Sequence, residues 1–179
     1  QRLVLGNFVL TSIALARREA LLDVGGFPEE MRRCEDYHLW LRLAWRARGR
    51  RAFAFADRPV ARYRRDASGL SADREAMLDG EVEALERLVG LDGLEPLSET
   101  ARLIAREVVR RRVVQAYADL EAGRRRAARR KLADALRRGG LRAKPAIYLV
   151  ASFLPLRFSA LRAARRALMS EARPARDDR

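Results

Sequence analysis

The chain has one cysteine, Cys34, and one histidine, His38, among its 179 residues. A single thiol excludes an internal disulfide and a thiolate metal cluster, and it suits a reducing compartment. A single imidazole supports neither a zinc site nor a Ser/His/Asp triad, so the expectation for His38 is a solvent-facing ring or a local hydrogen bond. No G-x-G-x-x-G or P-loop pattern offers a glycine cradle for phosphate. The uncharged run Pro145–Leu156 is 12 residues long, short of the roughly 20 that a membrane-spanning helix needs. Nothing ahead of Gly6 resembles a targeting peptide, and the sequence opens on Gln1, so the chain reads as a segment of a longer protein.

Acidic residues are scarce in one region only. Through Gly123 there are 21 basic and 20 acidic residues, a difference of +1; from Arg124 onward there are 17 and 4, a difference of +13. The positive field therefore belongs to the C-terminal part, where it would draw nucleic acid, anionic lipid or an acidic partner. A hydrophobic content of 49% is enough for a core, while 35% charged residues and only two tryptophans call for helices with broad solvated faces. At this length the chain makes one domain, or a small domain with an extension.

Taken in order, Gly6 to Ala16 is β-branched, aromatic and uncharged. It predicts a strand buried on both faces. Arg17 to Val24 predicts a short helix stopped by Gly25-Gly26, a pair able to take positive φ. A helix over Glu35 to Ala47 follows from Leu39, Leu43 and Ala47 at four-residue spacing, with Arg42 and Arg46 elsewhere around it and Gly49 ending it. Ala52–Ala56 and Val60–Arg64 predict two short strands, and Asp66 to Ser71 a polar loop. Past Asp73 the pattern is helical throughout. Arg74 to Val89 turns Met77, Val82, Leu85 and Val89 to one face, and Ser98 to Ala122 does so with Ile104, Val108, Val109, Val113 and Tyr117. Arg124 to Arg138 and Pro145 to about Met169 complete the set. The stretch from Ala116 to Leu136 resembles one tetratricopeptide-type helical hairpin, with no second copy in the sequence. Residues 1–73 and 74–179 are the two expected domains.

Glu35-Asp36 is the focus for chemistry. Adjacent acids in a helix's first turn suit its dipole and its free N–H groups, so capping is the default role. The context adds another: a glycine turn lies upstream, Trp40 stands one turn beyond Asp36, and a Tyr-Arg segment follows.

Gly25-Gly26-Phe27, Glu35-Asp36-Tyr37, Leu39-Trp40-Leu41-Arg42-Leu43-Ala44 and Val60-Ala61-Arg62-Tyr63-Arg64-Arg65 resemble the second half of a family 2 glycosyltransferase domain of the GT-A fold. The likeness covers about residues 1–72. The fold it implies is a partial α/β, nucleotide-diphospho-sugar-transferase-like domain, followed here by an all-α extension, the chain being predominantly helical. The implied reaction is inverting transfer of a sugar from a nucleotide-diphospho-sugar donor to the hydroxyl of a glycan or lipid-linked acceptor. The expected setting is cell-surface glycan synthesis in the cytoplasm, peripherally at the inner membrane face. By the same resemblance Asp36 is the general base and Glu35 orients the acceptor, with Gly25, Gly26 and Trp40 on the acceptor side and Arg64 toward the donor diphosphate. Core packing is the competing role for Trp40.

Magnesium or manganese is the cofactor implied for the whole enzyme. Asp66 stands where the family often has a histidine, and it is either an oxygen ligand for that cation or a solvated loop acid. The donor-binding half, with its Asp-x-Asp motif, is absent from this sequence. The segment is therefore not expected to turn over alone.

Arg157 to Met169 sets Phe158, Leu161 and Leu168 among Arg157, Arg162, Arg165 and Arg166. Such a pattern serves equally a helix lying on an anionic membrane through 145–169 or one docked on the preceding hairpin. Nucleic acid ranks last as a partner, because base-stacking aromatics are not interleaved with the arginines. The alternative to an enzyme is a non-catalytic helical interaction or membrane-surface module.

Overall fold

The computed structural model describes residues 1–47, 53–62, 69–89, 98–139 and 143–154. The helices among them are α1 (Arg2–Leu5), α2 (Arg18–Asp23), α3 (Glu35–Ala47), α4 (Arg74–Val89), α5 (Glu99–Glu121), α6 (Arg125–Gly139) and α7 (Ala143–Ala151), with 3-10 turns at Thr11–Ile13 and Leu70–Ala72. The chain divides into two compact units, Gln1–Arg111 and Arg112–Arg179. The first unit thus runs past the boundary expected at residue 73. Its continuation is hydrophobic packing of α4 on α3, which puts Val82, Ala84, Leu85 and Leu88 into one core with Leu39 and Leu41.

Around α3 the core is tighter than a single apolar stripe predicts: Tyr37, His38, Leu39, Trp40 and Leu41 are all buried in succession. A helix buried on every side needs partners for its polar groups as well. Tyr37 donates its hydroxyl to the Leu3 carbonyl at 2.7 Å. His38 Nδ1 lies 3.1 Å from the Ala84 carbonyl, and because that oxygen only accepts, the ring carries its proton on Nδ1. His38 is therefore buried and bonded to a helix 46 positions away, neither solvent-facing nor locally bonded as expected. In α4 the inward residue of the last turn is Leu88, while Val89 is exposed.

The C-terminal carbonyls of α1 are collected by two side chains. Tyr37 takes Leu3, and Arg111 reaches Val4 at 3.4 Å and Leu5 at 3.2 Å. Arg111 is 1% exposed and also forms ion pairs with Glu81 at 2.8 Å and Glu107 at 2.7 Å. A guanidinium is suited to this because its planar fork presents several donors at once. Burial raises the Tyr37 hydroxyl well above its ordinary pKa, with the nearby Arg111 acting in the opposite sense.

No strand forms among the described residues. The segment Gly6–Ala16 is interrupted by its 3-10 turn, and its apolar residues Phe8, Leu10, Ile13 and Leu15 are exposed instead of buried on both faces. Two physical reasons apply. Asn7 Oδ1 takes the Val9 N–H at 3.1 Å, a bond that competes with a ladder. An extended segment without a neighbouring strand also has nowhere to place its remaining backbone groups. Residues 53–62 are likewise irregular and meet the first segment through the rings of Phe8 and Phe55, 6.2 Å apart. The helical part of the expected fold is present. Gly49, Ala52, Tyr63, most of the loop expected over 66–71, and everything expected beyond Leu154 lie outside the described residues.

In the second unit α5 ends on a Schellman turn. Gly123 has φ 76°, its N–H bonds the Leu120 carbonyl at 3.2 Å, and the Arg124 N–H bonds the Asp119 carbonyl at 2.8 Å. Beneath it the buried Asp119 pairs with Arg124 at 2.7 Å and Lys131 at 2.9 Å, fixing α6 against α5. Ala116, Leu120, Ala128 and Leu132 fill the space between, and Tyr148, Leu149 and Ala151 of α7 close over them.

Candidate functional site

Three pieces of local structure position the Glu35-Asp36 pair. The first is the end of α2, where Gly25 and Gly26 have φ of 80° and 67° and complete a Schellman motif: Gly26 N–H to Leu21 carbonyl at 2.8 Å, Gly25 N–H to Leu22 carbonyl at 2.9 Å. A Cβ at either position would be strained by that φ, which is why glycines are required.

The second piece is Arg42. Its guanidinium donates to the carbonyls of Val24 and Gly26, joining α3 to the glycine turn. Desolvation lowers the Arg42 pKa, with Glu30 opposing the shift. Arg42 therefore points back at the turn, a contact that its place away from the Leu39/Leu43/Ala47 repeat does not announce.

The third is the start of α3 itself. Cys34, the residue before Glu35, has φ 59°, rare for a side chain other than glycine. Its carbonyl accepts the His38 N–H at 3.0 Å and its thiol lies 3.5 Å from the Met77 carbonyl. Burial pushes the thiol pKa up to about 12, with Glu81, Asp36 and Glu35 adding to the effect. Such a thiol is a packing group and not a nucleophile. Helix α4 approaches closely here because Gly80 has no side chain: a Cβ would stand 2.9 Å from the Arg33 carbonyl oxygen.

On this platform Glu35 and Asp36 are both partly exposed. Asp36 Oδ1 accepts the Tyr37 N–H at 2.6 Å, one of the four amides that a helix start leaves open. Asp36 Oδ2 accepts the hydroxyl of Thr11 at 2.7 Å. Each carboxylate oxygen has a second lone pair, so both bonds fix the group without exhausting its capacity to take a proton. Thr11 was not legible from the sequence, since it lies 25 positions away in a segment that reads as strand.

The remaining expected residues separate. Trp40 is 4% exposed and meets the ring of Phe27 edge-on at 6.5 Å and 78°. Its place is in the core, and the exposed aromatic beside the glycine turn is Phe27. Arg64 and Asp66 lie outside the described residues. Among the described residues no three His, Cys, Asp or Glu side chains come close enough to hold a metal ion, so they do not form a site for the implied divalent cation.

A cavity of about 230 Å³ is lined by Leu10, Ser12 and Ile13 on one side and Ala56 and residues 58–62 on the other, including Arg58 and Arg62. It adjoins the turn that carries Thr11, and Asp36 is not part of its lining. Two guanidinium groups beside apolar side chains suit an anion carried on an apolar body. Among the described residues no helix is long and apolar enough to cross a membrane. Comparison of the chain with protein-family models, curated proteins and solved structures finds no match.

Proposed function

We propose that this chain is the acceptor-side part of an inverting glycosyltransferase of the GT-A type, with Asp36 as the general base. The observation that carries the reading is the 2.7 Å bond between the Thr11 hydroxyl and Asp36 Oδ2. That oxygen already accepts from a hydroxyl at the distance at which a general base takes a proton, and its second lone pair serves the acceptor hydroxyl. The Tyr37 N–H on the other oxygen and the Cys34–Gly80 contact hold the carboxylate on a rigid helix end. Rigid placement of this kind is what proximity catalysis requires.

In this reading the base takes the proton as the acceptor oxygen attacks the anomeric carbon and the nucleoside diphosphate departs from the opposite face. Glu35 orients the acceptor, Phe27 and the glycine turn form its apolar rim, and the Arg58/Arg62 cavity is a cationic surface near the Thr11 turn. The donor site, with its divalent cation, belongs to sequence beyond this chain. The exposed apolar residues of 8–15 and 53–60 are the surface on which the donor-binding half would pack. The whole enzyme acts at the cytoplasmic face of a membrane.

Replacing Asp36 by Asn in the full-length protein lowers sugar transfer by at least about 100-fold, as loss of a general base does, while donor binding is kept. Unchanged turnover selects the alternative, a non-catalytic helical module in which the same two bonds serve only to cap α3. A start codon directly ahead of Gln1 also overturns the enzyme reading, because no Asp-x-Asp would then precede the acceptor side.

A further inference from the structure

Among the described residues, the second unit displays an apolar ridge outside its own core. Within α7, Tyr148, Leu149 and Ala151 turn inward, while Ile147 and Val150 are 62% and 67% exposed. The turn that continues α7 adds Phe153 at 65% and Leu154 at 48%. Ile147, Val150 and Leu154 stand at i, i+3 and i+7, so they form one stripe and not scattered surface residues.

The end of this ridge is clamped by cations. Arg129 donates to the Ser152 hydroxyl at 3.1 Å and to its carbonyl at 2.8 Å, and its guanidinium lies 3.8 Å from the centre of the Phe153 ring. Arg125 donates to the Leu154 carbonyl. Both guanidiniums sit at the negative end of α7's dipole, and Lys144 is exposed in its first turn. Along the chain, the stretch between Asp134 and Glu171 that holds the ridge has eight basic residues and no acidic one.

We propose that this ridge is a membrane-surface contact, in which Ile147, Val150, Phe153 and Leu154 enter the acyl boundary of an anionic bilayer while Arg125, Arg129 and Lys144 meet lipid phosphates. The two halves of the observation select this occupant together. A bilayer surface offers a plane of negative charge directly above hydrocarbon, and the ridge offers the complementary order. Nucleic acid would match the charge but leave the aliphatic Ile147, Val150 and Leu154 without a partner, since bases stack on aromatic rings. A second copy of the chain would match the apolar residues but oppose arginine to arginine. Burial of Ile147 and Val150 strengthens partitioning by about tenfold each, and each basic side chain that reaches the surface adds about fivefold.

The test is flotation of the full chain with phosphatidylcholine vesicles that contain or lack phosphatidylglycerol, at low and high salt. The expected result is recovery with the anionic vesicles only, reduced by salt. In the Ile147→Ser/Val150→Ser variant, apparent affinity falls by at least about tenfold with an unchanged far-UV spectrum, the replaced side chains being outside the core. A single Val150→Trp variant, chosen as a gain-of-binding arm, floats better than the parent. Equal recovery with both vesicle types, or wild-type flotation of the double-serine variant, overturns the proposal. So does a dimer, seen by light scattering, that the double-serine variant dissolves, because the ridge would then belong to a second copy.

Discussion

Replacing Gly80 by Ala sets two opposing effects of known size against each other. In the interior of a helix, Ala is favoured over Gly by about 1 kcal/mol, and α4 is an ordinary 16-residue helix in which that gain should apply. Against it stands a Cβ 2.9 Å from the Arg33 carbonyl oxygen, 3.0 Å from the Arg33 Cβ and 3.1 Å from the Cys34 sulfur. Two of those three atoms are not the ends of flexible side chains. The carbonyl is backbone, and the Cys34 segment is held by its left-handed φ of 59° and by the 3.0 Å bond that opens α3. Relief therefore requires α3 and α4 to separate, and overpacking of this kind costs about 1–3 kcal/mol. The net expectation is a loss of up to about 2 kcal/mol once the propensity gain is subtracted. Both tryptophans of the chain, Trp40 and Trp45, lie in α3, so urea unfolding followed by tryptophan fluorescence reads the first unit selectively. The midpoint should fall by up to about 1 M at unchanged m. A rise in the midpoint would show that the helices part without cost, and would refute the claim that this contact fixes the start of α3 and Asp36 with it.

Arg111→Met leaves the carboxylates of Glu81 and Glu107 and the carbonyls of Val4 and Leu5 without their guanidinium. Breaking a buried pair by removing one partner costs about 3–5 kcal/mol, a large share of the roughly 5–15 kcal/mol that holds a domain; thermal unfolding by circular dichroism checks this, and a loss under about 1 kcal/mol would mean that the pairs are solvated. His38 is held below its ordinary pKa first by burial and then by Arg42 and Arg87, with the Ala84 carbonyl and Glu30 opposing. The unfolded ring therefore binds a proton more readily than the folded one, so the stability of the first unit is highest above about pH 6.5 and declines as the pH falls below it. Urea midpoints at pH 7.5 and 5.5 should show that decline, and His38→Gln should flatten it; an unaltered slope in the variant would assign the pH dependence to other groups.

The helices were legible because their signals are local. Arg74–Val89 and Glu35–Ala47 have the bounds that periodicity and flanking residues indicate, and the Gly25-Gly26 stop announces itself by composition. Ser98 caps α5 through the Ala101 N–H at 3.2 Å, as its position ahead of the helix suggests. What sequence spacing could not supply was the set of polar contacts that lock helices together. Nothing local tells that Arg42 turns back to the glycine loop, that Arg111 gathers α1, or that His38 serves Ala84, because each partner is 16 or more positions away. Trp40 illustrates the same limit: four residues from Asp36 it shares the acid's side of a helical wheel, yet α3 is enclosed on every side there, and the indole is packed inward. The strand expectation failed for a different reason. β-branched and aromatic residues state a preference for extended backbone, but a strand also needs a neighbour to bond with.

The same distinction bears on Asp36. A carboxylate that only capped α3 would be satisfied by the Tyr37 N–H and by the helix dipole, and water would serve its outer oxygen as well as Thr11 does. The Thr11 bond instead ties the helix to a segment whose apolar residues face outward and which itself lines the Arg58/Arg62 cavity. An exposed bond between neutral and charged side chains adds little to stability, and so a purely structural role predicts that Thr11→Val is nearly silent. A role in orienting the carboxylate toward an acceptor hydroxyl predicts otherwise: the unfolding midpoint stays put while transfer by the full-length protein falls. Thr11→Val thus separates the structural role from the proposed catalytic one, which Asp36→Asn would remove together.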